Sequence, residues 1–215
     1  MKISILGPCE LRGPHGSVRL KARRQQIVLA TLLWHANRVV PVPALIDAVW
    51  GSAPPASART QIHICVSEIR RRLAPAGLPG LLETIPPGYC IRIGADELDL
   101  HVFDRWAAQG RAMRARGHLD EASGCFAEAL RLWRGAPFAG LSGERITWMA
   151  ERLAVRRLDV TEEYFDIRIR LGRGAEILTA LTAMAEQYPS RERLRSQLRT
   201  VSQQARRYQA LPRTG

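Results

Sequence analysis

The sequence has little lysine, no paired cysteines and no long apolar run. Two of its 32 Lys and Arg residues are lysine. Its four cysteines lie far apart without a C-x-x-C pair, which excludes the common zinc spacings and favours reduced thiols. The longest apolar run, Ile27–Trp34, is too short to span a bilayer, and Pro8 interrupts the only signal-like segment. We therefore expect a cytoplasmic protein with no membrane association and no metal site.

The motifs of common enzyme classes are also missing. There is no G-x-x-x-x-G-K-[ST] phosphate loop, and there is no G-x-S-x-G, H-E-x-x-H or paired-carboxylate motif. The five histidines are isolated in the sequence. We therefore predict that the chain is not an enzyme, has no catalytic residues and needs no cofactor.

Positive charge is concentrated in the first half of the chain. The formal net charge is +12; residues 1–95 hold 12 Lys and Arg against 4 Asp and Glu, and residues 96–215 hold 20 against 16. The first part therefore carries +8 and the second +4. This division predicts a polyanion-binding domain joined to a module that contacts proteins.

Residues Ser57–Leu73 have the pattern of an amphipathic helix. Apolar residues recur at i, i+4, i+7 and i+11 and predict one buried stripe: Ile62, Val66, Ile69 and Leu73. The opposite face is polar, cationic and short-chained, which suits a helix that enters the DNA major groove. Its predicted DNA-contacting residues are Arg59, Thr60, His63, Ile64, Ser67, Arg70 and Arg71.

A predicted β-hairpin follows this helix. Residues 82–93 contain two short strands around a Pro-Pro-Gly-Tyr turn, and we expect Tyr89 and Arg92 to lie along neighbouring phosphates. Three short strands within residues 2–20 and helices over Arg23–Ala36 and Pro43–Trp50 complete a winged helix-turn-helix. Lys21, Arg23 and Arg24 stand at a helix N-terminus, where backbone N–H groups favour a phosphate; a solvent-facing first turn is the alternative.

The second half has the spacing of a tetratricopeptide unit. Five residues match that repeat at fixed offsets: Trp106, Gly110, Ala122, Phe126 and Ala129. A weaker second unit is marked by Ile177, Leu181, Met184 and Pro189. The apolar stripe of a last helix, Arg191–Tyr208, comprises Leu194, Leu198, Val201, Ala205 and Tyr208. It predicts a helix that caps the domain, with a coiled-coil seam as the alternative.

Five segments in this order resemble the Streptomyces antibiotic regulatory proteins. They are residues 37–51, 53–60, 66–73, 86–89 and 96–101, and the similarity extends from Ile3 to about Leu198. That family consists of transcriptional activators with an OmpR-type DNA-binding domain followed by a helical bacterial transcriptional activation domain. The resemblance implies double-stranded DNA with tandem direct repeats as the target, a head-to-tail pair of protomers, and RNA polymerase sigma and alpha subunits as partners. It also implies control of an antibiotic biosynthetic cluster.

We therefore predict a mainly α chain with a small β component. An OmpR-type winged helix over residues 1–95 precedes a tetratricopeptide-like domain over 96–208 and a tail over 209–215. Two alternatives remain: a repeat-type interaction adaptor with a weakened winged helix, and a repressor on the same fold. Glu68 favours the adaptor, because a carboxylate repels phosphate unless it accepts a hydrogen bond from a cytosine amine.

Overall fold

Three short strands form the N-terminal sheet of the computed structural model, which describes the backbone of residues 2–210 and the side chains of residues 2–204. These are β1 (Lys2–Ser4), β2 (Glu10–Gly13) and β3 (Gly16–Val18), antiparallel in the order β1-β2-β3. Ile3 pairs with Leu11 and Leu11 with Val18, so one face of the sheet is apolar. The predicted side-chain positions of Ala205 and Tyr208, and residues 211–215 of the predicted tail, lie outside the described residues.

Three helices and a second sheet form the winged helix-turn-helix. The helices are α1 (Arg23–Trp34), α2 (Val42–Trp50) and α3 (Ala58–Leu73), and a short 3-10 turn, Ala74–Ala76, follows α3. Strands β4 (Val40–Pro41), β5 (Leu82–Ile85) and β6 (Gly88–Ile91) pair antiparallel in the order β4-β6-β5. The expected strand–turn–strand hairpin and the expected buried stripe of α3 are confirmed.

Gly88 allows strand β6 to approach β4. A Cβ atom at this position would lie 1.9 Å from the carbonyl oxygen of Val40, which no side chain permits. Pairing with β4 on one side and β5 on the other buries all four residues of β6. The first position of β6 therefore requires glycine, because the backbone of β4 leaves no room for a side chain.

Helix α2 packs through a narrow buried side. Val42, Leu45 and Ala48 are buried, whereas Trp50 at its end is only half-buried. The N-terminal cap position is Pro41, which makes no side-chain capping hydrogen bond. The first turn of α2 therefore depends on tertiary packing rather than on a polar cap.

The chain divides into two compact units, and the first includes residues far from the winged helix in sequence. It comprises residues 1–103 and 132–155. The backbone N–H groups of Ile5 and Leu6 donate to the buried Asp99 carboxylate at 2.9–3.0 Å. On another side, Arg134 N–H donates to Leu6 O and Phe138 N–H to Ile5 O, at 2.8 and 3.1 Å. The segment after β1 is thus held by partners about a hundred residues away.

The second unit is helical in the part that the structure describes, residues 104–131 and 156–210. It is formed by the later part of α4 (Asp99–Ala115), α5 (Leu119–Arg131), the later part of α6 (Glu144–Arg170), α7 (Gly174–Gln187) and α8 (Glu192–Ala210). No described helix is long and apolar enough to cross a bilayer. The structure confirms the predicted fold class, a mainly helical chain with a small β component.

Two of the repeat predictions can be followed in this unit. Gly110 of α4 lies against the ring of Phe126 of α5, where an added Cβ would approach within 2.8 Å. A hydrophobic core farther along the unit contains Ile177 and Leu181 from α7 and Leu194 and Val201 from α8, with Leu198 and Met184 packed at its edge. The predicted stripe of the last helix therefore packs within the unit wherever its side chains are described.

Candidate nucleic-acid interface

Helix α3 presents the predicted polar face to solvent. All of its predicted stripe is buried, and 58% of the Ile64 surface is exposed, an unusual value for an aliphatic residue. The exposed residues on this helix include Arg59, Thr60, His63, Ile64, Ser67 and Arg71. An exposed aliphatic side chain among short polar groups and arginines is suited to the thymine methyl groups of the major groove.

Arg70 connects helix α3 to the wing. Its Nε donates to Leu82 O at 3.0 Å, and its Nη2 donates to Thr84 Oγ1 at 2.7 Å. The guanidinium also lies 5.8 Å from the centre of the Tyr89 ring. The described contacts of Arg70 therefore give it a structural role: it fixes β5 against α3.

Tyr89 is buried beneath this junction. Only 5% of its surface is exposed, and its hydroxyl lies 3.2 Å from Nδ1 of His63. The two rings meet edge to face with centroids 6.2 Å apart. When the hydroxyl donates to Nδ1, the neutral His63 ring carries its own proton on Nε2. Tyr89 thus orients His63 and offers little surface of its own to DNA.

Two of the predicted DNA-contacting arginines have carboxylate partners. Arg71 and Glu68 form an ion pair across one turn of α3, with 67% and 33% of their side chains exposed. Arg92 donates from Nε to Glu83 at 3.1 Å on the wing. Both pairs are exposed, so they are weak and can exchange for contacts with DNA. The pairing also neutralises Glu68, the residue that weakened the DNA-binding hypothesis.

The N-terminus of α1 is tied to the N-terminus of α3. Arg24 donates to Gln61, whose own Nε2 donates to Ser57 Oγ at 2.8 Å, and Arg24 stacks over the Trp50 ring at 5.4 Å. Arg23 Nε donates to Ser142 O at 3.2 Å. Lys21 is exposed, and Ala22, the cap residue of α1, offers no side-chain acceptor to the first N–H groups. Of these three cations, Arg24 is therefore bonded to α3 and Arg23 to the loop before α6, and their contact with phosphate stays a prediction.

Gln61 and Asp99 are the two important residues that the sequence pattern did not reveal. Gln61 is on the flank of α3, and its position next to the exposed Thr60 was the only available signal. Asp99 and Ile5 are 94 residues apart in the sequence, so no local sequence pattern predicts their contact. Burial raises the pKa of Asp99, although its bonded N–H groups and Arg134 act in the opposite direction.

The described residues offer no metal site. No group of three or more His, Cys, Asp or Glu side chains converges among them, and all four cysteines are free. Desolvation, followed by the negative charge of Asp99, raises the pKa of the Cys9 thiol to about 12. Cys9 is therefore protonated at neutral pH and is a poor metal ligand.

Two family models match the chain in the order of its parts. The model described as "Transcriptional regulatory protein, C terminal" matches residues 16–91, and the bacterial transcriptional activator domain matches residues 98–213. The second match alone covers more than half of the chain.

Several relatives are similar along nearly the whole chain. The regulatory protein DnrI of Streptomyces peucetius is 36% identical over 205 residues, which cover 92% of this chain and 75% of DnrI. The transcriptional regulatory protein EmbR of Mycobacterium tuberculosis is 32% identical over 94% of this chain and 53% of its own length. The regulatory protein AfsR of Streptomyces coelicolor is 31% identical over 92% of this chain, but the match spans only 20% of AfsR.

A solved structure has the same fold. Mycobacterium tuberculosis EmbR, determined in complex with a low-affinity phosphopeptide, superposes with a TM-score of 0.90 at 32% identity. The match covers 97% of this chain and 56% of EmbR. All of these relatives are regulators, and DnrI is matched over three quarters of its length. The chain therefore belongs to the Streptomyces antibiotic regulatory protein family of transcriptional activators.

Proposed function

We propose that this chain binds double-stranded DNA at tandem direct repeats near promoters and activates transcription there by recruiting RNA polymerase. In this proposal α3 enters the major groove, and Arg71 and Ile64 contact base edges. The N-terminus of α1 and the wing, through Arg24 and Arg92, contact phosphates on either side. The proposal places the protein in the cytoplasm, with an antibiotic biosynthetic cluster as its target.

The observation that carries the proposal is the exposed face of α3. This face holds Ile64 and Arg71 in the open, while Arg70 holds the wing beside it. Tyr89 contributes by orienting His63 rather than by touching DNA. The +8 charge of residues 1–95 supplies attraction to any duplex, and the α3 face supplies discrimination among duplexes.

Direct repeats determine the arrangement of the protomers. A winged helix placed identically on each repeat gives protomers related by translation along the DNA, not by a two-fold axis. We therefore propose a head-to-tail pair on DNA. The helical second part would contact the polymerase sigma and alpha subunits, as the family resemblance implies.

Sequence selection followed by transcription in vitro tests the proposal. Duplexes selected by the full chain from a random pool should contain a motif repeated in the same orientation. A template with that site upstream of a promoter should give more transcript with the protein than without it. Less transcript would instead support a repressor, and failure to enrich any motif would support the interaction adaptor.

A further inference from the structure

An exposed tryptophan in the first unit is not among the predicted DNA-contacting residues. Trp148, near the start of α6, is 40% exposed, and its ring meets Trp34 edge to face with centroids 5.8 Å apart. The guanidinium groups of Arg145 and Arg152 lie 4.6 and 5.4 Å from the centre of the Trp148 ring. We call these four residues, with His35 and Arg38, the Trp148 surface.

The arginines of this surface have no carboxylate partner among the described residues. Glu144 and Glu151 each adjoin one of them in sequence, but at 100° per residue these glutamates fall on the other flank of the Trp148 ridge. Glu144 Oε2 lies 4.0 Å from where a side chain at Gly51 would begin, so it faces the end of α2. The guanidinium groups of Arg145 and Arg152 remain available beside an aromatic ring.

Of the two neighbouring groups, Arg38 adds positive charge to the surface and His35 does not. Burial, followed by the positive charges of Arg145 and Arg38, lowers the pKa of His35, which is therefore neutral at pH 7. Arg38, one residue beyond the turn after α1, adds a third guanidinium without a carboxylate partner in the described part of the chain. The flank of Trp148 that carries these cations is complementary to carboxylates beside an apolar side chain, while Asp47, Glu144 and Glu151 line the depression on which Trp148 borders.

The Trp148 surface adjoins the proposed DNA contacts at the N-terminus of α1 without continuing them. Arg145 and Trp148 line a depression that also contains Arg23. Three carboxylates line the same depression: Asp47, Glu144 and Glu151. These carboxylates repel a phosphate backbone there, so the Trp148 surface needs a partner that approaches from the flank of Arg145 and Arg152.

We propose that the Trp148 surface binds an acidic protein segment that carries an aliphatic or aromatic side chain. The carboxylates of that segment pair with Arg145, Arg152 and Arg38, and its apolar side chain lies on the Trp148 ring. This proposal does not rest on DNA binding, and it assigns a contact to the first unit in addition to any contact made by the helical repeats.

Fluorescence anisotropy with labelled peptides tests it on the full chain. The probe is a peptide of alternating Asp and Glu with a central Leu-Phe pair. One matched peptide has Ala-Ala at the centre, and another has Lys in place of every acidic residue. We expect saturable binding of the first peptide below about 1 mM, weaker binding of the second and none of the third.

Matched charge variants separate this surface from general attraction. Replacing both Arg145→Gln and Arg152→Gln should weaken binding of the acidic peptide at least about tenfold, since both lose a charge-assisted contact. Arg72→Gln, which removes an exposed arginine at the end of α3, should change it less than about twofold. Trp148→Ala should abolish the preference for Leu-Phe over Ala-Ala, and this readout does not depend on absolute affinity.

Four results would overturn the proposal. They are no saturable binding of the acidic peptide, equal loss in Arg72→Gln, an unchanged Leu-Phe preference in Trp148→Ala, or an equal loss of DNA affinity in the double variant. An equal loss of DNA affinity would show that the Trp148 surface binds phosphates.

Sedimentation of the full chain provides a further check. If wild type is a dimer and the double variant is a monomer, the surface binds a second copy of this chain, and the proposed acidic segment is wrong. A failure of motif enrichment with intact peptide binding would leave this proposal standing and remove only the DNA-binding one.

Discussion

The arginines of the two units are used differently. In the second unit they pair with carboxylates from neighbouring helices, as in Arg111 with Glu163 at 2.7 Å and Arg191 with Asp159 at 3.0 Å. In the first unit Arg71 and Arg92 form exposed carboxylate pairs, but Arg70 and Arg24 bond to neutral acceptors. Arg59 and Arg145 have no carboxylate partner among the described residues. Arginine thus joins helices in the second unit, while the first unit leaves part of its positive charge available for other molecules.

The largest expected effect is a loss of stability from a core substitution in the second unit. Leu194→Ala removes a fully buried side chain of α8 and should lower the free energy of unfolding by about 2–5 kcal/mol. Thermal unfolding measures this loss. The control is Arg195→Ala on the exposed face of the same helix, which should cost less than about 0.5 kcal/mol.

The DNA affinity of the Leu194→Ala variant, measured below its melting temperature, should equal that of wild type. An unchanged melting temperature would show that α8 is a loose tail, and the predicted capping role of the helix would then be wrong.

Within the first unit, Asp99→Ala should cost about 1–3 kcal/mol. The substitution leaves the buried N–H groups of Ile5 and Leu6 without their acceptor. Chemical denaturation of the full chain measures the loss, with Asp47→Ala, at an exposed position of α2 in the same unit, as the control. Equal stability of the two variants would show that the Asp99 carboxylate does not support the segment after β1.

On the DNA-contacting face, Arg71→Ala and Arg24→Ala should affect DNA binding in different ways. Arg71→Ala should weaken binding to the selected duplex by about 1–3 kcal/mol. It should also reduce the difference in affinity between that duplex and its single-base variants, because the lost contact is to a base. Arg24→Ala should weaken all duplexes by a similar factor, because the lost contact is to phosphate. Anisotropy titrations against a panel of single-base variants measure both.

Ile64→Ala tests the orientation of α3 on the same panel. If the variant bound every duplex as wild type does, then Ile64 would not face the bases and the proposed orientation would be contradicted.

The smallest expected effect is a pH dependence in the first unit. The pKa of His35 is lowered in the folded chain, so the unfolded chain binds more protons at pH values between that lowered pKa and 6.5. Stability should therefore fall as pH falls through this window. The unfolding free energy of wild type should therefore depend more steeply on pH in this window than that of His35→Gln. Identical slopes for the two proteins would show that His35 does not cause the pH dependence.

Local patterns predicted much of this molecule because their signals lie within one element. The i, i+4, i+7 spacing identified the buried stripe of α3, and repeat offsets identified Gly110 against Phe126. Tyr89 was predicted as a DNA contact because it follows a turn, but pairing of β6 with two strands buries it. The boundary at residue 95 remains a prediction, and the compact first unit extends past it.

Interactions distant in sequence were beyond such patterns. Asp99 and the segment from Arg134 to Phe138 hold the residues after β1 through backbone groups, which leave no periodic trace in side-chain composition. The Arg145–Trp148–Arg152 stack is likewise invisible, because an apolar residue between charges on a helix usually indicates core packing.

The salt dependence of binding to selected and scrambled duplexes tests the central claim most directly. The claim is that the first unit binds DNA through available cations and distinguishes sequences through the α3 face. Log Kd against log salt should have a slope of roughly 0.9 per neutralised phosphate for both duplexes, with the selected duplex bound more tightly at every salt concentration. A salt-independent affinity, or equal affinity for the two duplexes, would contradict the account.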